Sequence, residues 1–167
     1  MISGKKSKQT VRPDQVFNIY DSLAFTIIEL IVVMAIIGVL ATIAIPAYIG
    51  IQNRAKITTA TADIVSIATK LSAYVSDNGI GPPSLAEVHC DHYLDPWGHP
   101  YKYLNLKTAK GKGQMRKDRF MVPINTFFDL YSMGPDGKSV SPLTAKASRD
   151  DIIYAHDGGY IGPAEGF

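Results

Sequence analysis

Residues 25–45 read FTIIELIVVMAIIGVLATIAI and carry one charge in 21 positions, Glu29. At the α-helical rise a run of this length spans roughly 31 Å, about one bilayer hydrocarbon core. A helix from a soluble core shows polar residues along one face. This stretch is apolar all round, which points to a membrane-spanning helix. The exception is Glu29, four residues inside the run. A carboxylate at that depth costs on the order of 2–3 kcal/mol on insertion scales. It therefore has a partner, or it sits at headgroup level and snorkels; position alone does not separate the two.

The 167 residues suit one domain plus an anchor. Without a leader and a membrane helix, about 120 residues remain, enough for one small core. The chain holds 17 Lys and Arg against 15 Asp and Glu. Four of those bases (Lys5, Lys6, Lys8, Arg12) and two of the acids (Asp14, Asp21) fall in residues 1–24, so the rest is balanced at 13 and 13. A domain without a net basic face argues against nucleic acid as a partner, since phosphate binding needs one. Cys90 is the only cysteine, so no disulfide can form within the chain. Residues 1–24 are polar and basic with no apolar core of their own. A secretory signal peptide places its small cleavage residue after the apolar run; here Ala24 precedes it. The basic leader stays in the cytoplasm and the C-terminal part faces out.

The string Ala24-Phe25-Thr26-Ile27-Ile28-Glu29-Leu30, continued by IVVMAIIGVLATIAIPAY, resembles the N-terminal segment of type IV prepilins and type II secretion pseudopilins. The resemblance implies a leader over 1–24, cut by a prepilin peptidase between Ala24 and Phe25, with the new amino terminus methylated. The family usually has Gly before the cut, and its leaders are often purely basic. The helix over 25–48 is then held in the inner membrane until the subunit joins a fibre, and residues 49–167 form a periplasmic domain. It also gives Glu29 a partner, the α-amino group of Phe25 on a neighbouring copy. A stranded carboxylate in lipid is costly and an amine is its nearest complement, so the pair would set register. Gly38 and Pro46 interrupt the run, and a kink or local melting between them is expected, because proline removes a backbone hydrogen bond; the alternative is simple tolerance, since both residues are commoner in membrane helices than in soluble ones.

Beyond Pro46 the pattern changes. Ile57, Ile64, Ile67, Leu71, Tyr74 and Val75 recur at helical spacing, with Arg54, Lys56, Asp63 and Lys70 between them. This predicts an amphipathic helix to about Ser76, ended by Asp77-Asn78-Gly79 and Gly81-Pro82-Pro83. Ser84 can cap a short helix over 84–87. The run His89-Cys90-Asp91-His92 invites a zinc reading, but adjacent ligands make a poor tetrahedral clamp and a polar loop is the alternative.

Leu94-Asp95-Pro96-Trp97-Gly98-His99-Pro100-Tyr101-Lys102-Tyr103 sets a bend followed by a strand from Tyr101. This DPWGxPYxY string resembles the C-terminal domain signature of the major pseudopilins of type II secretion. The fold class implied is α+β, type IV pilin-like: a long N-terminal helix packed on a small antiparallel sheet. Residues 107–119, KTAKGKGQMRKDR, read as a solvated basic loop or a contact for acidic partners or headgroups. Phe127-Phe128-Asp129-Leu130-Tyr131-Ser132-Met133-Gly134 reads as the last clear strand, and the tail DGGYIGPAEGF as exposed or frayed. FDLYSMGPDG followed by DDI again matches the major pseudopilins, whose loop here binds calcium. The resemblance nominates Asp136, Asp150 and Asp151 as ligands, and carboxylates with loop carbonyls suit that ion. The alternative is turn-forming Asp residues. Thirteen residues separate Asp136 from Asp150, more than in related sequences, with an insertion at 139–149.

No phosphate loop, nucleophile elbow or paired carboxylates in a cleft appear, so an enzyme is not expected. The expected function is a structural subunit of a type II secretion pseudopilus. It would polymerise with its own kind through Phe25, Glu29, Gly38 and Pro46, with minor pseudopilins and an inner-membrane assembly platform as further partners. The alternative is a type IV pilus subunit for adhesion, motility or DNA uptake, though such subunits usually close their C-terminal loop with a disulfide. A third class is a signal-anchored membrane protein with a small periplasmic domain.

Overall fold

A computed structural model describes residues 25–167; the leader and Ala24 lie outside the described residues. The chain divides into two compact units, one ending at Ile45 and the other running Pro46–Phe167. One helix, α1 (Ile27–Asn78), contributes to both.

In the first unit α1 buries nothing. Every large apolar side chain over 25–45 is exposed, from 45% for Val33 to 79% for Ile27. Among the described residues this is the one helix long and apolar enough to cross a membrane. The expected melting between Gly38 and Pro46 is not present, because α1 is helical throughout with Pro46 inside it. Proline deprives the Thr42 carbonyl of its usual donor, while the Thr42 hydroxyl donates back to the Gly38 carbonyl at 2.8 Å. The lost bond is one among many in a 52-residue helix, and its neighbours carry the backbone past it.

In the second unit the same helix becomes amphipathic. Ala60, Ile64, Ile67, Ala68 and Leu71 are buried, at spacings that place them on one face. The helix stops at Gly79, whose φ of +74° suits a residue without Cβ and whose N–H donates to the Val75 carbonyl at 2.7 Å. The following turn is tied to the sheet: the Tyr103 hydroxyl donates to the Pro82 carbonyl at 2.7 Å and the Asn105 amide to that of Gly81 at 2.6 Å. A Cβ on Gly81 would lie 2.8 Å from the Tyr103 hydroxyl, so a larger residue here would push that side chain aside. The short helix after Ser84 is a 3-10 turn, Leu85–Val88, and Ser84 makes no side-chain cap bond.

Four antiparallel strands follow in meander order: β1 (Lys102–Asn105), β2 (Phe128–Ser132), β3 (Ile152–Ala155) and β4 (Tyr160–Pro163). Alternate residues face opposite sides of the sheet. Phe128, Leu130, Ile152 and Tyr154 pack with the α1 residues, Leu85, Cys90 and Tyr101. On the other face, Ile153 and Ala155 pack with Ile124, Leu143 and Ala164, flanked by Tyr131, Tyr160 and Phe167. Both faces are therefore covered, the second by the long connections and the C-terminal residues. Two sequence expectations change as a result. Strand β2 is not the last, and the tail is neither frayed nor free, since β4 pairs along β3 from Ala155↔Tyr160 to Ile152↔Pro163.

The helix–sheet seam carries the stability. Truncating Leu71, fully buried at its centre, to alanine is expected to cost about 2–5 kcal/mol. Urea denaturation of the detergent-solubilised chain, followed through the single tryptophan, Trp97, measures it.

Candidate functional site

The first turn of α1 holds its own carboxylate. The Glu29 Oε2 accepts the Thr26 backbone N–H at 3.0 Å and the Thr26 hydroxyl at 2.9 Å. The Thr26 Oγ1 in turn accepts the Glu29 N–H at 3.2 Å. This reciprocal arrangement is a capping box, which satisfies donors that a helix start leaves open and places the negative charge at the positive end of the helix dipole. The capping contacts use Oε2 only. Phe25 beside it is exposed, as are the side chains of the apolar helix beyond.

In the second unit, the DPWG segment is built around Asp95, which is 4% exposed. Its Oδ1 accepts the Trp97 and His99 N–H groups at 3.1 and 2.8 Å, and its Oδ2 accepts the Ser132 hydroxyl at 2.5 Å. These bonds clamp the bend before β1 to the end of β2. The Tyr101 hydroxyl donates to Asp63 at 2.9 Å and ties the same bend to α1; burial, reinforced by that carboxylate, drives the phenol pKa upward. These residues are structural.

The run 89–92 does not converge on a metal. Cys90 is 1% exposed within the core, with its sulfur 3.5 Å from the Lys70 ammonium. His89 and His92 are exposed.

The acidic loop is arranged differently from the calcium expectation. Asp136 is exposed and its Oδ1 accepts the Lys138 N–H at 2.8 Å, an Asx turn. Asp150 Oδ2 accepts the Asp136 N–H at 3.3 Å. Asp151 is wholly buried, and its Oδ2 receives both the Arg116 guanidinium and the Ser139 hydroxyl. Burial pushes the Asp151 carboxyl up to about 6, with Ser139 and Arg116 pulling it down and Asp150 adding to the rise. Among the described residues no three His, Cys, Asp or Glu side chains gather where they could hold a metal ion. Calcium takes six to eight oxygens. As placed, Asp136, Asp150 and Asp151 do not fit it.

Arg116 is the residue that sequence reasoning missed. The basic stretch 107–119 reads as solvated, yet Arg116 is 3% exposed. Nothing in a run of lysines and glycines marks which cation turns inward. The Thr26 cap was missed as well, although the Thr-x-x-Glu spacing is a signal that marks it.

Known proteins bear on both units. Residues 21–45 match the prokaryotic N-terminal methylation motif. Over 135 residues, 68% of this chain and 84% of the relative, the chain is 36% identical to the type II secretion system core protein G of Pseudomonas aeruginosa. The chain belongs to the type II secretion system core protein G family. It is also 31% identical over 139 residues to the core protein G of Pectobacterium carotovorum, covering 71% and 79% of the two chains. With that of Escherichia coli it shares 30% over 135 residues, covering 68% and 82%. No solved structure matches the chain. The family resemblance carried by the FTIIE and DPWG strings is thereby shown, and the type IV pilus alternative is not favoured.

Asp95→Ala strands two N–H groups and a hydroxyl, and is expected to lower stability by about 3 kcal/mol. Chemical denaturation against the parent chain reads the difference.

Proposed function

We propose that the chain is a structural, non-catalytic subunit that polymerises through its N-terminal helix into a type II secretion pseudopilus. The observation that carries this reading is the uncovered apolar surface of residues 25–45, which lies within the methylation motif. Fully burying one aliphatic side chain is worth about 1.5–3 kcal/mol. A whole helix of them exceeds the roughly 5–15 kcal/mol that holds a domain together. Such a surface rests in lipid or against copies of itself.

In the membrane the helix is solvated by lipid tails as apolar as itself, so apolar contact alone does not favour leaving. A polar register pair does. Cleavage between Ala24 and Phe25 by a prepilin peptidase, with methylation, creates a cationic amine beside the Thr26 cap. That amine on one copy would meet Glu29 on the next. The Gly38 and Pro46 positions allow the helix to adjust during the transfer. The second unit faces the periplasm, on the side of the inner membrane opposite the basic leader. Growth of the fibre, helped by minor pseudopilins and an inner-membrane platform, pushes folded proteins towards the outer membrane. The single cysteine, buried in the core, is unlike the disulfide-closed loop of pilus subunits for adhesion or DNA uptake.

Glu29→Ala is expected to leave the chain in the membrane fraction while weakening association between copies by at least about 100-fold, the effect of stranding one partner of a buried ion pair. Cross-linking and shearing of cells that carry the full secretion machinery measure fibre, and carbonate extraction measures insertion. Normal fibre yield from the variant sinks the reading.

A further inference from the structure

The Asp151 site contains a cation already, and it is part of the chain. Arg116 lies on the connection between β1 and β2. Its Nη1 donates to the Ser139 hydroxyl and the Val140 carbonyl, both at 2.6 Å, and its Nη2 donates to the Asp151 carboxylate. Its backbone N–H donates to Asp129 Oδ2 at 2.7 Å, and its guanidinium carbon lies 4.1 Å from the centre of the Tyr131 ring. One side chain thus joins the β1–β2 connection, strand β2, the 139–149 insertion and the residue before β3. The insertion closes on itself beneath it, since the Ser148 hydroxyl donates to the Val140 carbonyl at 2.8 Å and accepts the Val140 N–H at 2.9 Å.

We propose that Arg116 is the resident cation of this loop, so that the folded chain holds the 139–149 insertion in place without calcium. A planar guanidinium presents several donors in a fixed fork, and this one serves a hydroxyl, a carbonyl and a carboxylate at once. A divalent ion bound to Asp151 would have to share that carboxylate with a buried positive charge, at a cost that low dielectric magnifies. The two buried side-chain atoms of this cluster left without a hydrogen bond are Arg116 Nε and Asp151 Oδ1. The 13 residues between Asp136 and Asp150 and the inward arginine are two parts of one arrangement. The inference concerns the folded subunit and stands or falls independently of the fibre reading.

The test is thermal unfolding of the full chain in detergent, in excess EDTA and in millimolar calcium chloride. The expected result is one Tm in both. Arg116→Met is expected to lower Tm by roughly 10 °C, and Arg116→Lys by less, since it keeps the charge and loses the fork. The double variant Arg116→Met/Asp151→Asn should recover part of the loss, because it removes both partners instead of stranding one. A wild-type Tm that falls in EDTA and returns with calcium overturns the proposal, as does an Arg116→Met chain that melts with the parent. Where Arg116→Met yields no folded protein, the wild-type comparison decides alone.

Discussion

The apolar side chains that begin at Phe25 find no cover among the described residues, and the organisation of the molecule follows from that shortage. Water is excluded as their lasting environment by the magnitudes involved. Lipid and a bundle of identical helices both satisfy them, and moving between the two changes the apolar account little. The few polar groups at the helix start therefore have leverage out of proportion to their number. Glu29 is held ready by Thr26 in a geometry that keeps it at the end of the helix.

Past Pro46 the helix has a different task. Its buried face packs in one cluster with one side of the sheet, through Phe128, Leu130, Ile152 and Tyr154. The opposite side of the sheet would be wet in a bare four-stranded meander. Here long connections fold over it and bury Ile153 and Ala155 with Leu143 and Ile124. Covering a sheet with loops brings polar backbone inward, and each such group needs a partner. Arg116, Ser148 and Asn125 supply several of those partners, alongside the apolar contacts of the same layer.

How much of this could be read from the residues depends on the range of the interaction. The membrane helix, the amphipathic helix and strands β1 and β2 are periodic in the chain itself, and periodicity survives any tertiary context. The family strings were legible for the same reason, being contiguous. Strand β4 was not. Tyr160-Ile161-Gly162-Pro163 carries two residues that ordinarily break strands, and it is extended because β3 offers a free edge to pair with. At Pro46 the residues left melting and tolerance both open, and the helix runs on because proline's local penalty is outweighed by the turns around it. Arg116 was least visible of all. Its burial is decided by Asp151, 35 positions away, and by a ring on β2, neither of which marks it in the sequence.

The burial of Cys90 has a practical side. Its thiol is shut inside the seam between α1 and the sheet, and no second thiol exists in the chain. Any cysteine placed on the exterior would be the sole exposed thiol, open to a maleimide or to disulfide formation with its like on a neighbouring copy. Neighbouring copies in a filament could then be mapped pair by pair on an otherwise wild-type background, without first stripping the protein of its native sulfur.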